Sequence, residues 1–221
     1  MPEATILVIF FTSLVVGYSG SLMPGPLLTL NITESAKRGF WAGPLLVSGH
    51  AVAELAIAMA LAVGLARLIG ETIIGAIVGL LGGLFLLWMG YSIIRSVLSK
   101  SVTLSMSKES GSASMHPVLA GIFVSVANPF WVLWWATIGS AYVLWSLQLG
   151  AAGLLSFWSG HILSDLTWYS FVAFVIATGR RFIKDSIYRG LLLVCGIFLV
   201  GLAVYFVFFG IRALLSPGII S

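Results

Sequence analysis

Ser48-Gly49-His50-Ala51-Val52-Ala53-Glu54 and Ser159-Gly160-His161-Ile162-Leu163-Ser164-Asp165 are one motif written twice: Ser-Gly-His, three residues, then a carboxylate. The chain has only three histidines, so two of them in the same pattern at matching places point to duplication. Other landmarks recur at similar offsets: Pro24 with Pro129, 105 residues on, Gly83 with Gly196, 113 on, and Arg95 with Arg212, 117 on, against 111 for the two histidines. The offset drifts only through small insertions.

Each copy of the motif lies near the centre of a long apolar run. Of the 221 residues 60% are hydrophobic and 8% charged, whereas a soluble domain carries roughly 25% charged residues. Too few polar groups exist to cover a water-facing surface. Apolar runs near 5–33, 42–66, 72–94, 117–146, 151–179 and 190–214 each reach or exceed the roughly 20 residues that cross a bilayer. The chain is therefore expected to be an all-α membrane protein of six transmembrane helices. The first run has Glu3 and no basic residue before it, and is too long for a signal core, so it reads as a retained helix. A net charge of +4 does not point to nucleic acid, because the basic residues sit singly or in twos and threes beside apolar spans. Anionic lipid headgroups suit them better. The single cysteine, Cys195, lies inside the last span and reads as a packing residue, leaving no disulfide framework or thiolate metal cluster.

One linker interrupts the apolar pattern, residues 99–116, with seven serines, two lysines, Glu109 and Gly111. It divides the chain into a first three-helix repeat, 1–98, and a second, 117–221. An odd number of spans per half makes the second repeat enter the membrane from the other side, so the two are expected to be inverted about an axis in the membrane plane, as in many secondary transporters. Nine basic residues fall on one side (Lys37, Arg38, Arg95, Lys100, Lys108, Arg180, Arg181, Lys184, Arg189) and two, Arg67 and Arg212, on the other. The richer side is assigned to the cytoplasm and both termini outside.

Helices 1 and 4 are expected to be broken at proline motifs, Met23-Pro24-Gly25-Pro26 and Asn128-Pro129. Proline removes an amide donor and clashes with the preceding turn, and the carbonyls it frees in hydrocarbon need protein, water or a ligand. Matched interruptions in the two halves mark a transporter's binding site, so Pro24, Gly25, Pro26, Asn128, Pro129 and Trp131 are candidate substrate-binding residues.

A spacing of four places His50 with Glu54, and His161 with Asp165, on one face of a helix. A charged residue at a helix centre carries an insertion penalty of roughly 2.5–3.5 kcal/mol, so both pairs are expected to face inward. Three roles compete for them: a hydrogen-bonded lock between helices, a proton relay, or a divalent-cation site built from two imidazoles and two carboxylates. Trp131, Trp134 and Trp135 line a pocket or simply pack. Gly75, Gly79 and Gly83 fit close helix packing, within the fold or in a homodimer. The sequence holds no nucleophile-base constellation, phosphate loop or haem motif, so no cofactor is expected, and an intramembrane enzyme is the weakest alternative.

Taken together, Pro24-Gly25-Pro26 in the first span, Lys37-Arg38-Gly39 before the second, the glycine-rich third span and Asn128-Pro129 in the fourth resemble the lysine exporter (LysE/RhtB-type) family over nearly the whole chain. The resemblance implies a multi-pass protein of a prokaryotic cell membrane that exports amino acids or related small metabolites by secondary active transport; the relay reading of the His-carboxylate pairs adds protons as the expected coupling partner. Two departures stand out. Phe130 follows Asn128-Pro129 where the family often has lysine, and the paired His-carboxylate elements are more polar than in typical amino-acid exporters. Related branches of the wider superfamily move metal ions, which keeps a divalent cation as the alternative substrate.

Overall fold

The computed structural model describes residues 2–65, 72–101, 115–179 and 184–215. Arg67, Lys108, Arg180, Arg181 and residues 102–114 of the serine-rich linker lie outside the described residues. Among the described residues the regular elements are helices: α1 Pro2–Ser21, α2 Pro26–Arg38, α3 Ala42–Ala60, α4 Thr72–Leu98, α5 Pro117–Val126, α6 Pro129–Trp134, α7 Ser140–Leu147, α8 Gly150–Gly179 and α9 Asp185–Leu215. π-helical turns at Leu61–Leu65 and Trp135–Gly139 follow α3 and join α6 to α7. Among the described residues five helical runs are long and apolar enough to cross a bilayer, and six if α1 and α2 count as one bent span.

Proline opens α2, α5 and α6, at the position where its missing N–H is not needed. Between α1 and α2 the axis turns by 78°, and the Gly25 N–H donates to the Met23 carbonyl at 2.7 Å. The helix after this turn runs to Arg38, past the apolar run that stops at residue 33. Its last turn is held by Glu34, which pairs with Lys37 at 3.4 Å and Arg38 at 2.7 Å. In the other half α5 has 10 residues, about 15 Å of helix, too short to cross alone. At the step to α6 Asn128 Oδ1 accepts the Phe130 N–H at 3.1 Å, an N-cap for the new helix. Gly64, with φ at 100°, ends the turn after α3. The chain's third histidine, His116, caps α5 through its ring.

The surface is apolar, and a set of polar side chains is buried inside among apolar ones. Val15, Trp88, Leu155, Phe171, Val204 and Phe208 are exposed, while Asn31, His50, Glu54, Ser125, His161, Ser164 and Asp165 are buried. That inversion of the water-soluble pattern suits a lipid surround, where polar groups find partners only inside the protein.

α4 and α9 pack along one another antiparallel. A Cβ on Gly79 would sit 3.1 Å from the Phe206 carbonyl oxygen, and one on Gly83 would sit 3.3 Å from that of Ala203. The small-residue stripe of α4 is thus used within the fold at Gly79 and Gly83; the surroundings of Gly75 lie outside the described residues. Gly79→Leu is expected to lower stability by about 1–3 kcal/mol through overpacking against backbone, read as a lower melting temperature in detergent.

Two apolar clusters divide the molecule by depth. One gathers Ala36 of α2, Leu46 of α3, Val97 of α4, Ile176 of α8 and Tyr188 of α9. The other gathers Ile9 of α1, Ala58 and Leu61 at the end of α3, Val143 of α7 and Phe157 of α8. α3 leaves the first cluster and enters the second, whereas α8 does the reverse, so the two carriers of the repeated motif run antiparallel. His50 and Glu54 on α3, and His161 and Asp165 on α8, fall between the clusters. Lys37, Arg95 and Arg189 neighbour residues of the first cluster in sequence, which gathers basic helix ends at one face.

Candidate functional site

Glycine sets how closely the motif helices approach their neighbours. Gly49, before His50, meets the Val118 carbonyl of α5, and Gly160, before His161, meets Ser13 and the Phe10 carbonyl of α1. No side chain fits at either crossing. Ser156 donates to the Ile6 carbonyl at 2.7 Å and Tyr18 bonds Thr167 at 2.7 Å, holding α1 parallel to α8.

With α3 and α8 in contact, the four motif side chains converge. Glu54 Oε1 lies 3.1 Å from Nε2 of His50 and 3.1 Å from Nε2 of His161. It also accepts the indole N–H groups of Trp131 and Trp135, each at 3.3 Å. Asp165 is held more loosely, its Oδ2 3.6 Å from His50 Nε2 and 3.8 Å from His161 Nε2. Glu54 is 1% exposed and Asp165 3%, so both carboxylates are buried among their partners. Among the described residues Glu54 Oε2, Asp165 Oδ2 and His161 Nδ1 make no hydrogen bond.

The two imidazoles differ on their far side. His50 Nδ1 is 2.6 Å from Ser125 Oγ, which is 2.6 Å from the Gly121 carbonyl oxygen. A carbonyl only accepts, and a hydroxyl has one proton. Both contacts are satisfied when Ser125 donates to Gly121 and His50 Nδ1–H donates to Ser125. His50 then turns Nε2 to the carboxylates with its tautomer held. His161 Nδ1 has no such partner among the described residues, and its ring is boxed by others, stacked on Trp134 at 4.5 Å and edge-on to Trp135 at 5.9 Å.

The cluster borders a cavity of about 50 Å³, room for about three to five waters. Asn128 and Trp131 line it, as do all four motif residues, whereas beside the first break the wall is made by Gly20, Ser21 and Leu27 and not by Pro24, Gly25 or Pro26. Pro129 also stays off the wall, packed against Gly82 of α4. Ser21, Ser125, Trp134 and Tyr169 join the lining. A signal for three of these was present in the sequence: Ser21 and Ser125 each stand four residues after a glycine, Gly17 and Gly121, and Tyr169 stands four after Asp165 on the same face. Chemically the cluster can hold and exchange protons between imidazole and carboxylate, or bind a cation. Ligand atoms of His50, Glu54 and Asp165 lie within 4.8 Å of one another.

Comparison with known proteins gives one consistent result. A family model described as "LysE type translocator" matches residues 18–210. The "Putative amino acid efflux protein YcgF" of Bacillus subtilis is 26% identical over 210 residues, 94% of this chain and 99% of that protein. The "Chemotactic transduction protein ChpE" of Pseudomonas aeruginosa is 26% identical over 90% of this chain and 97% of its own length. The "Threonine efflux protein" of Salmonella typhi is 26% identical over 78% of this chain and 84% of its own. No solved structure matches the chain at a significant level. A match running from the end of α1 through α9, across both motif copies and both helix interruptions, makes this multi-pass membrane protein a member of the LysE type translocator family.

Proposed function

We propose that the protein is a secondary active exporter of amino acids or related small metabolites in a prokaryotic cell membrane, coupled to protons and working by alternating access. The observation that carries this reading is the convergence of His50, Glu54, His161 and Asp165 at mid-depth on a cavity flanked by two helix interruptions. Relatives bearing amino-acid and threonine efflux in their names support the substrate class.

The architecture is two inverted three-helix repeats, α1 to α4 and α5 to α9, with helices 1 and 4 broken at their prolines. The antiparallel runs of α3 against α8 and of α4 against α9 support it, as does the correspondence of Gly17 and Gly49 with Gly121 and Gly160 at the crossings. The face that gathers Lys37, Arg95 and Arg189 is cytoplasmic and both termini are outside.

Glu54 and Asp165 exchange protons through His50 and His161, and a buried carboxylate at this depth also attracts the ammonium group of an amino acid. Leu27 brings the start of α2 to the wall, where free N–H groups favour a substrate carboxylate. Trp131 offers an aromatic face to the ammonium. A cavity of about 50 Å³ is smaller than an amino acid, so admitting one needs the segments at Pro24-Gly25-Pro26 and Asn128-Pro129 to swing.

The test is transport in proteoliposomes, comparing labelled amino acids with divalent cations under an imposed pH gradient. Amino acids are expected to move, and collapsing the gradient to stop accumulation. Asp165→Asn, which removes a proton site held only by long contacts, is expected to leave the protein folded and cut gradient-driven accumulation about tenfold or more. Accumulation that ignores both the gradient and the Asp165→Asn change would end the coupling reading. Divalent-cation movement lost in His50→Ala would replace amino acids by a metal substrate, and chemical turnover in detergent without a sealed vesicle would make the protein an enzyme.

A further inference from the structure

Ser21 and Ser125 hold corresponding places on the two helices that flank the cluster. Each stands four residues after a glycine at a helix crossing. A Cβ on Gly17 would strike Ser164 Oγ and come within 2.9 Å of His161 Nδ1, and one on Gly121 would strike the Leu46 carbonyl and come within 3.2 Å of the His50 backbone N. Each Oγ is turned toward the carbonyl of its own glycine, at 3.4 Å for Ser21 and 2.6 Å for Ser125. Both are 2% exposed, and both line the same cavity.

The match breaks at one point. Ser125 holds the Nδ1 of His50 at 2.6 Å, whereas the Nδ1 of His161, equally buried and facing α1 beside Gly17, is without a hydrogen bond among the described residues. A buried imidazole nitrogen left unpaired is costly, and the hydroxyl that would mirror Ser125 is on α1, one turn beyond Gly17.

We propose that Ser21 is the positioning residue for His161, bonded to its Nδ1 in the oppositely open state, in which Ser125 releases His50. The proposal rests on the alternating-access reading above. Held through Nδ1, an imidazole presents Nε2 to Glu54 and Asp165 in one tautomer; released, it can turn and change tautomer. The two serines thus decide which histidine is aligned in each half of the cycle, although neither touches the carboxylates.

The experiment uses the full chain in proteoliposomes with Cys195→Ser and one reporter cysteine, at Ala62 beside the cluster containing Leu61 or at Leu30 beside the cluster containing Leu46. A membrane-impermeant thiol reagent is applied from either side. Ser125→Ala weakens the state described here and Ser21→Ala the opposite one. The two are expected to move the ratio of Ala62 to Leu30 labelling in opposite directions by about fivefold, the shift given by one hydrogen bond, and Ser→Thr at either place is expected to restore it. A purely structural role moves both ratios the same way or not at all, and either result overturns the proposal. So does a shift in Ser125→Ala alone. Wild-type labelling that ignores both amino acids and a pH gradient would remove the alternating-access reading itself, a failure distinct from that of Ser21.

Discussion

Glu54→Gln is expected to lower the initial rate of export by about a hundredfold or more, with the protein still inserted. Four ring nitrogens converge on Glu54 Oε1, the Nε2 of His50 and His161 and the indole N–H groups of Trp131 and Trp135. Glutamine keeps an oxygen for the two indoles, but removes the anion that both imidazoles face and adds an N–H donor among donors. Breaking one partner out of a buried charged pair costs roughly 3–5 kcal/mol, which applied to the transport barrier gives the stated loss or more. Asp165 cannot substitute at that place, since its nearest imidazole contact is 3.6 Å. Glu54→Asp retains the charge but shortens the reach to four converging ring nitrogens, and an intermediate rate is expected. The check is labelled amino-acid efflux from proteoliposomes, normalised to protein recovered as a monodisperse peak. A Gln variant with wild-type, gradient-dependent export would show that Glu54 is only a lock between helices.

Gly49→Val and Gly121→Val are each expected to destabilise the protein by about 3 kcal/mol or more, beyond the usual range for overpacking, and to abolish folded material. The side chain added at Gly49 strikes the Val118 carbonyl and that at Gly121 the Leu46 carbonyl. A flexible side chain turns aside from such a collision, but a carbonyl inside a helix does not, so α3 and α5 must separate. Their separation would take Ser125 from His50 and loosen α3 from the site. Gly201→Ala in α9 is the control: nothing lies within 4 Å of an added Cβ there, and alanine favours helix by about 1 kcal/mol, so its melting temperature is expected to equal or exceed wild type. Size-exclusion profiles and melting temperatures in detergent decide both cases. Equal stability of Gly49→Val and Gly201→Ala would contradict the close crossing.

Much of the site is legible in the sequence. His50 with Glu54 and His161 with Asp165 share helix faces because four residues is close to one turn, and their burial follows from the charge penalty in hydrocarbon. The prolines marked where helices begin, since a ring without an N–H suits only the first turn. Boundaries were less legible: α2 runs on to Arg38 because Glu34 satisfies two basic residues, a local pairing that an apolar count does not register. The glycine stripe of α4 fitted either an internal or an external partner, and its packing on α9 was decided by the fold.

Composition, hydrophobic run length and residue spacing are properties of the chain taken a few turns at a time, and they determined that the protein is helical, crosses a membrane several times, and buries two copies of a His-carboxylate motif. Only the tertiary structure decided that the two copies meet, that four ring nitrogens crowd one oxygen of Glu54 while Asp165 stands off, and that Ser125 holds His50 while His161 Nδ1 has no hydrogen bond among the described residues. Between the helices those contacts join residues 75 to 115 positions apart. Their lengths depend on how closely helices cross at Gly17, Gly49, Gly121 and Gly160, and the depth of a crossing is a relation between helices that no single helix carries in its own sequence.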